Sequence, residues 1–221
     1  MNATELRHHL HHVSQRRPVF HSEADFQHEL ALELALAGYR VRLEVPRSLV
    51  LSGTPVRAEL DLLVQKSDGE SAWTVIELKY VKAATIITHR GEVYDLAGTW
   101  STNLSRFDAL ADLRRVEGIV GAGLAAQGHT VFLTNAADAW NVDVSTGGNM
   151  AGQFSLHAGR ELPAGVPLDW VPANPAVGSV TKKRLAPYAP ITLARAQTCS
   201  WTPYSAFSVT AGEFKYLLLS A

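Results

Sequence analysis

One cysteine, Cys199, stands in 221 residues, so no internal disulfide is available and the fold has to rest on its core. No run approaches the roughly 18 apolar residues of a membrane helix. The polar stretch Met1–Pro18 lacks the apolar segment of a secretion signal. A cytoplasmic protein with no membrane partner is therefore expected. Charge of one sign is also lacking: 20 Lys and Arg oppose 21 Asp and Glu, a formal net charge of −1. Attraction to a polyanion must then come from local patches, since the whole-molecule field supplies none. Candidates are Arg16 with Arg17, Lys79 with Lys82 and Arg90, Arg114 with Arg115, and Lys182 to Arg184. What is present is ordinary for a globular chain. Apolar residues at 47% are too many for disorder, and the length suits one domain, residues 1–221.

Turn and cap chemistry divides the chain. Ser22 as N-cap, the acids Glu23 and Asp25, and Gly38 as the stop predict a helix over Glu23–Ala37. Strands follow over Tyr39–Val45, Val56–Gln65 and Ala72–Val81, the last two joined as a hairpin through Asp68-Gly69. Helical spacing runs from Val93 to Val120 with a break near Gly98, and a short buried strand follows at Thr130–Thr134. Pro and Gly thicken from Gly147 to Pro190, a loop-rich region. The tail is β-rich, with strands expected at Ile191–Ala194, Ala206–Val209 and Phe214–Leu219. The order α-β-β-β-α-β predicts a mixed α/β (α+β) layer arrangement, a central mixed sheet flanked by helices, with a core of about 20–140 and an extension of about 147–221.

Alternation along the third strand sets Trp73, Val75, Glu77 and Lys79 on one face. Alone, a Glu-x-Lys pair is also met as a surface ion pair. In the second strand Ala58, Leu60, Leu62 and Val64 share one face, and Arg57, Glu59, Asp61 and Leu63 the other. Asp61 thus interrupts an apolar run where Asp is disfavoured and costly to bury unpaired. A hairpin brings Asp61 and Glu77 toward each other, and paired carboxylates with a backbone carbonyl and water suit Mg²⁺ or Mn²⁺. Pairing of Asp61 with Arg57 or Lys79 is the alternative. On the first helix Glu23 sits on the stripe of Phe26, Gln27, Leu30 and Leu34, while Glu29 and Glu33 fall off its centre and are expected to be solvated. Leu32 and Leu36 lie on the opposite side. Asp108, Asp112 and Arg115 fit a structural ion network on one helix face, and Asp95 fits either a first-turn acid or a site residue. The cluster His8, His9, His11 and His12 beside Arg7 and Arg16 is read as a frayed basic helix rather than a chelator.

A helix with an early Glu, a strand Asp, a hairpin, and an apolar strand ending Glu-x-Lys resembles the PD-(D/E)XK nuclease superfamily, the restriction-endonuclease-like proteins. The matching segments are Ser22-Glu23-Ala24-Asp25-Phe26-Gln27, Glu59-Leu60-Asp61-Leu62-Leu63 and Val75-Ile76-Glu77-Leu78-Lys79-Tyr80. Arg106-Phe107-Asp108 to Asp112, Arg115-Val116-Glu117, Leu133-Thr134-Asn135 and Trp140 are similar to an uncharacterised bacterial branch. Leu60 stands where the motif has proline. The resemblance implies a nuclease, DNA being favoured over RNA as the partner. In that scheme Asp61, Glu77, the Leu78 carbonyl and Glu23 hold the ion, Lys79 orients water, and Gln27 supports the catalytic set. Two other readings are open: a module of the same fold that binds nucleic acid or a partner protein without cutting, and a structural subunit in which Asp61, Glu77 and Lys79 are an ion network. A homodimer is left open as well.

Overall fold

The computed structural model describes residues 1–51, 54–68, 72–99, 102–142, 151–170 and 189–221. Its helices are α1 (Ala3–Arg16), α2 (Glu23–Leu36) and α3 (Thr102–Gly121). The strands through the first two-thirds are β1 (Tyr39–Leu51), β2 (Thr54–Lys66), β3 (Thr74–Val81), β4 (Thr85–His89), β5 (Glu92–Leu96) and β6 (Gln127–Thr134). Then come four two-residue strands, β7 (Glu161–Leu162), β8 (Pro167–Leu168), β9 (Ile191–Thr192) and β10 (Gln197–Thr198). The last two are β11 (Trp201–Ala206) and β12 (Glu213–Ser220).

Six strands form one mixed sheet in the order β1-β2-β3-β6-β12-β11. Only β3 and β6 are parallel, and α3 makes the crossover between them. Helices α1 and α2 cover one face, where Leu6, Leu10, Phe26, Leu30 and Leu34 pack with Leu62, Val64, Ile76 and Leu78. On the other face α3 sets Val116 and Ile119 against Val75 and Leu63. Gly128 of β6 allows that approach, because a Cβ there would lie 2.2 Å from Val116 Cγ1. Close docking of α3 fixes where Asp112 and Arg115, on the same helix, project.

Helix α2 forms as its end signals predict. Ser22 caps it by accepting a hydrogen bond from the Asp25 amide at 3.1 Å, and Gly38 leaves it at φ 85°, a conformation that favours glycine. Leu32 and Leu36 point outward. The solvated placing of Glu33 is corrected: it is 6% exposed, because α1 lies over that flank of α2. Nor is α1 frayed. Asn2 and Glu5 form a capping box, and Leu6, Leu10 and Val13 make a stripe with the spacing of one helix face, fully buried. Its polar composition hid that stripe.

Three further expectations change. Val93–Leu96 is strand rather than helix, because Arg90 and Gly91, both at positive φ, form a tight turn that pairs β5 with β4. Asp95 is therefore a strand residue opposite Ile86, and α3 begins only at Thr102. The strand expected at Ala206–Val209 lies earlier, at Trp201–Ala206. Pro203 is accommodated there because β11 is the sheet edge, where a missing N–H costs no ladder bond. β12 pairs with β6, so the end of the chain completes the main sheet instead of standing beside it. The β2–β3 hairpin pairs as expected at Leu62↔Ile76, while its tip at Gly69 lies outside the described residues, as do Lys182 to Arg184.

Simple alternation also fails along β2. Leu62 and Val64 pack on the α2 side, whereas Ala58 and Leu60 join Val75 and Val116 on the α3 side. The change of side falls at Asp61, opposite Glu44 of β1. Glu44 holds φ 49°, and its pair with Asp61 is missing from an otherwise continuous ladder. A left-handed residue in a strand re-aims the ribbon and releases Asp61 from it.

Candidate functional site

The site is made where two strands part. β3 pairs with β6 along its whole length, but with β2 only as far as Ile76. Beyond that point the β2-facing edge of β3 has backbone groups with no strand to meet. Carboxylates take the strand's place: Asp61 Oδ2 accepts from the Leu78 amide at 2.6 Å, and Glu23 Oε2 from the Tyr80 amide at 2.6 Å. Glu23 arrives from the first turn of α2. One turn further on, Gln27 Nε2 donates to the Asp61 carbonyl at 2.9 Å and to Glu44 Oε1 at 2.6 Å. Gln27 so ties α2 to both strands of the kinked ribbon.

Glu77 and Lys79 reach the same place from the α3 face. Lys79 Nζ stands 3.9 Å from Glu23 Oε1 and 3.9 Å from Asp112 Oδ2, ion pairs longer than hydrogen bonds. Glu77 is 1% exposed. Its Oε2 is in close contact with Arg115 Nη2, which also donates to Asp112 Oδ1 at 2.9 Å. Its Oε1 meets no hydrogen-bond partner among the described residues. One guanidinium therefore serves two buried acids.

The acids outnumber the cations, and their proton affinities follow. Burial pushes Glu77 up to about 8 despite Arg115, with Asp61 and Asp112 adding repulsion. Burial also pushes Asp61 up to about 6, against the Leu78 amide and with help from Glu23, Asp112 and Glu44. Glu23, Asp108 and Asp112 are likewise raised, burial being the first cause in each. Lys79 is raised despite burial, by Asp112 and then Glu23. Like charges held close and largely buried favour protons or a cation.

All five residues singled out by sequence, Glu23, Gln27, Asp61, Glu77 and Lys79, come together in this acid cluster. The pairing of Asp112 with Arg115 occurs as expected, but the network does not stand apart: it extends onto Glu77 and Lys79. Glu44 was missed, and no sequence signal marks it, since its place follows from a backbone kink. Asp112 and Arg115 carried a signal in their spacing with Asp108, but where that helix face would land depended on the crossover. Asp61, Glu77, Glu23 and the Leu78 carbonyl supply oxygen donors of the type hard cations take. They are not drawn around one point: among the described residues only His9, His12 and Glu33 bring three such ligand atoms within 4.8 Å of one another. A cavity of about 330 Å³ lined by Met1, Glu5, Tyr39, Lys66 and Gln127 also touches Thr74, at the other end of β3. It has no part in the acid cluster.

Comparison with protein-family models, curated proteins and solved structures gives no match for this chain. No helix among the described residues is long and apolar enough to cross a membrane.

Proposed function

We propose that this chain is a metal-dependent nuclease of the PD-(D/E)XK, restriction-endonuclease-like kind, hydrolysing phosphodiester bonds with Mg²⁺ or Mn²⁺, its substrate DNA in preference to RNA. The observation that carries the proposal is the Glu77 Oε1 atom: a buried carboxylate oxygen with no partner among the described residues, in a cluster holding more acids than cations. A buried group left in that state costs stability, and such groups cluster at functional sites. Asp61 and Glu77 would hold the ion, with Glu23 and the Leu78 carbonyl beside them; oxygen-only donors fit Mg²⁺ and Mn²⁺. When bound, the ion supplies Lewis-acid activation of water and positive charge at the phosphate. Lys79, between Glu23 and Asp112, orients the attacking water and carries charge against the phosphate oxygens. Water attacks phosphorus, the P–O3′ bond breaks, one proton of the water passes to the departing oxygen to give a 3′-hydroxyl, and the water oxygen stays on phosphorus as part of the 5′-phosphate. Gln27 positions Asp61 through its carbonyl. The test is cleavage of linear, circular, single-stranded and branched DNA and of RNA with either ion. Lys79→Ala should cut about 10² to 10³-fold more slowly than the parent while binding Mg²⁺ at least as well. No metal-dependent turnover of any of these by the parent protein would refute the proposal.

One observation favours a second function, the same fold used as a non-cutting binding module. Arg115 already occupies Glu77 Oε2 and so stands where a metal's charge would be. Arg115→Met separates the two. Metal-free, the variant should lose stability, by less than the roughly 3–5 kcal/mol of a broken buried pair because Glu77 can take up a proton instead. In a nuclease Mg²⁺ restores the melting temperature of the variant and also raises that of the parent. In a binding module it raises only the variant's.

A further inference from the structure

Away from the acid cluster, on the outer flank of α2, two imidazoles of α1 and one carboxylate of α2 converge. His9 Nδ1 and His12 Nδ1 each lie 3.2 Å from Glu33 Oε1. His9 and Glu33 are buried, and His12 is half exposed. We propose that His9, His12 and Glu33 form a binding site for a transition-metal dication of the Zn²⁺ type, which clips α1 onto α2.

Spacing supports this first. Donors about 2.1 Å from a tetrahedral ion lie roughly 3.4 Å from one another, close to the two separations of 3.2 Å seen here. All three ligand atoms fall within 4.8 Å of one another, so small rotations bring them around one ion. Donor chemistry supports it next. Two imidazoles with one carboxylate suit Zn²⁺, Co²⁺ or Ni²⁺, whereas Mg²⁺ selects oxygen. The site thus chooses a different class of ion from the acids around Glu77.

The surroundings hold the ligands in place. Arg16 Nη1 donates to Glu33 Oε2 at 2.6 Å and leaves Oε1 turned to the two rings. A carboxylate with one oxygen fixed by an outer partner is preorganised for one-atom ligation by the other. Tyr39 packs edge-on against the His9 ring, with centroids 5.6 Å apart. The His8 ring lies 4.1 Å from that of His12, a further imidazole at the open side. Three protein donors and one open position describe a Zn²⁺ site whose fourth place is taken by water. An ion here cross-links the helix that covers the sheet to the helix that carries Glu23 and Gln27. It needs no group of the acid cluster and does not rest on the nuclease proposal.

Chelator-stripped full-length protein titrated with ZnCl₂, followed by calorimetry and by melting temperature, tests the site; Co²⁺ absorption reports its coordination. One equivalent should bind per chain and raise the melting temperature. His12→Ala changes a half-exposed side chain and should leave the metal-free fold intact by circular dichroism. It should weaken Zn²⁺ binding at least about tenfold and remove the stabilisation. Glu33→Gln should do the same. Asp61→Asn combined with Glu77→Gln should keep this equivalent unchanged. Unchanged Zn²⁺ affinity in His12→Ala, or loss of the equivalent in the Asp61→Asn, Glu77→Gln variant, would overturn the proposal.

Discussion

Replacing Asp61 by Asn, or Glu77 by Gln, is expected to lower Mg²⁺-dependent cleavage by at least about 10³-fold, roughly 4 kcal/mol of transition-state stabilisation. Each change removes the negative charge that would hold the ion while keeping the shape of the side chain. Stability should move the other way for Asp61. Burial has pushed its carboxyl up to about 6, so at pH 8 the metal-free protein carries a charge that its surroundings oppose. Asn has no charge to oppose, and its amide oxygen can still accept from the Leu78 amide where Asp61 Oδ2 does now. Metal-free Asp61→Asn should therefore melt no lower than the parent at pH 8, and on the order of 3 kcal/mol is available to be gained. Loss of activity through general unfolding would show as a lower melting temperature, which is the outcome that sinks this assignment.

Mg²⁺ binding should weaken about tenfold for each pH unit between 8 and 6, because the ion must displace the proton that burial keeps on Glu77. The direction follows from the folded state holding more protons than the unfolded one. Asp61 rises from 3.8 to about 6, and Glu77 from 4.5 to about 8. The contribution of these two acids to metal-free stability is then fullest below about pH 4 and is lost as pH rises through about 6 for Asp61 and about 8 for Glu77. Mg²⁺ acts in the opposite sense, since it favours the deprotonated acids. The rise in melting temperature at fixed Mg²⁺ should be larger at pH 8 than at pH 6, and binding should release protons measurable in buffers of different ionisation enthalpy. A pH-independent Mg²⁺ response would mean that the ion binds elsewhere.

The strand acids were legible for a local reason. Asp61 breaks an apolar run, and Glu77 with Lys79 ends another. Alternation together with a hairpin brings the two acids to neighbouring strands without knowledge of the rest of the chain. Glu23 was legible because an acid one residue past a Ser cap on the apolar stripe is visible from helix periodicity. Arg115 was not legible as a partner of Glu77, since their meeting depends on how closely α3 docks over Gly128. Glu44 was hidden by its backbone: a glutamate at φ 49° is not written in residue type, and the ribbon's change of side at Asp61 follows from it. Glu33 was misplaced because the polar helix that covers it was read as frayed.

By itself the sequence determined the caps of α2, the three strands that follow it, and the acidic and basic side chains available to the cluster. Each of these depends on interactions within a few residues or across one turn. Tertiary structure alone decided that β2 and β3 part after Ile76, so that Asp61 and Glu23 bind backbone amides, and that one guanidinium is shared by Glu77 and Asp112. Those outcomes depend on burial and on distances between elements far apart in the chain, and a charge's proton affinity is set by what surrounds it rather than by its neighbours in sequence.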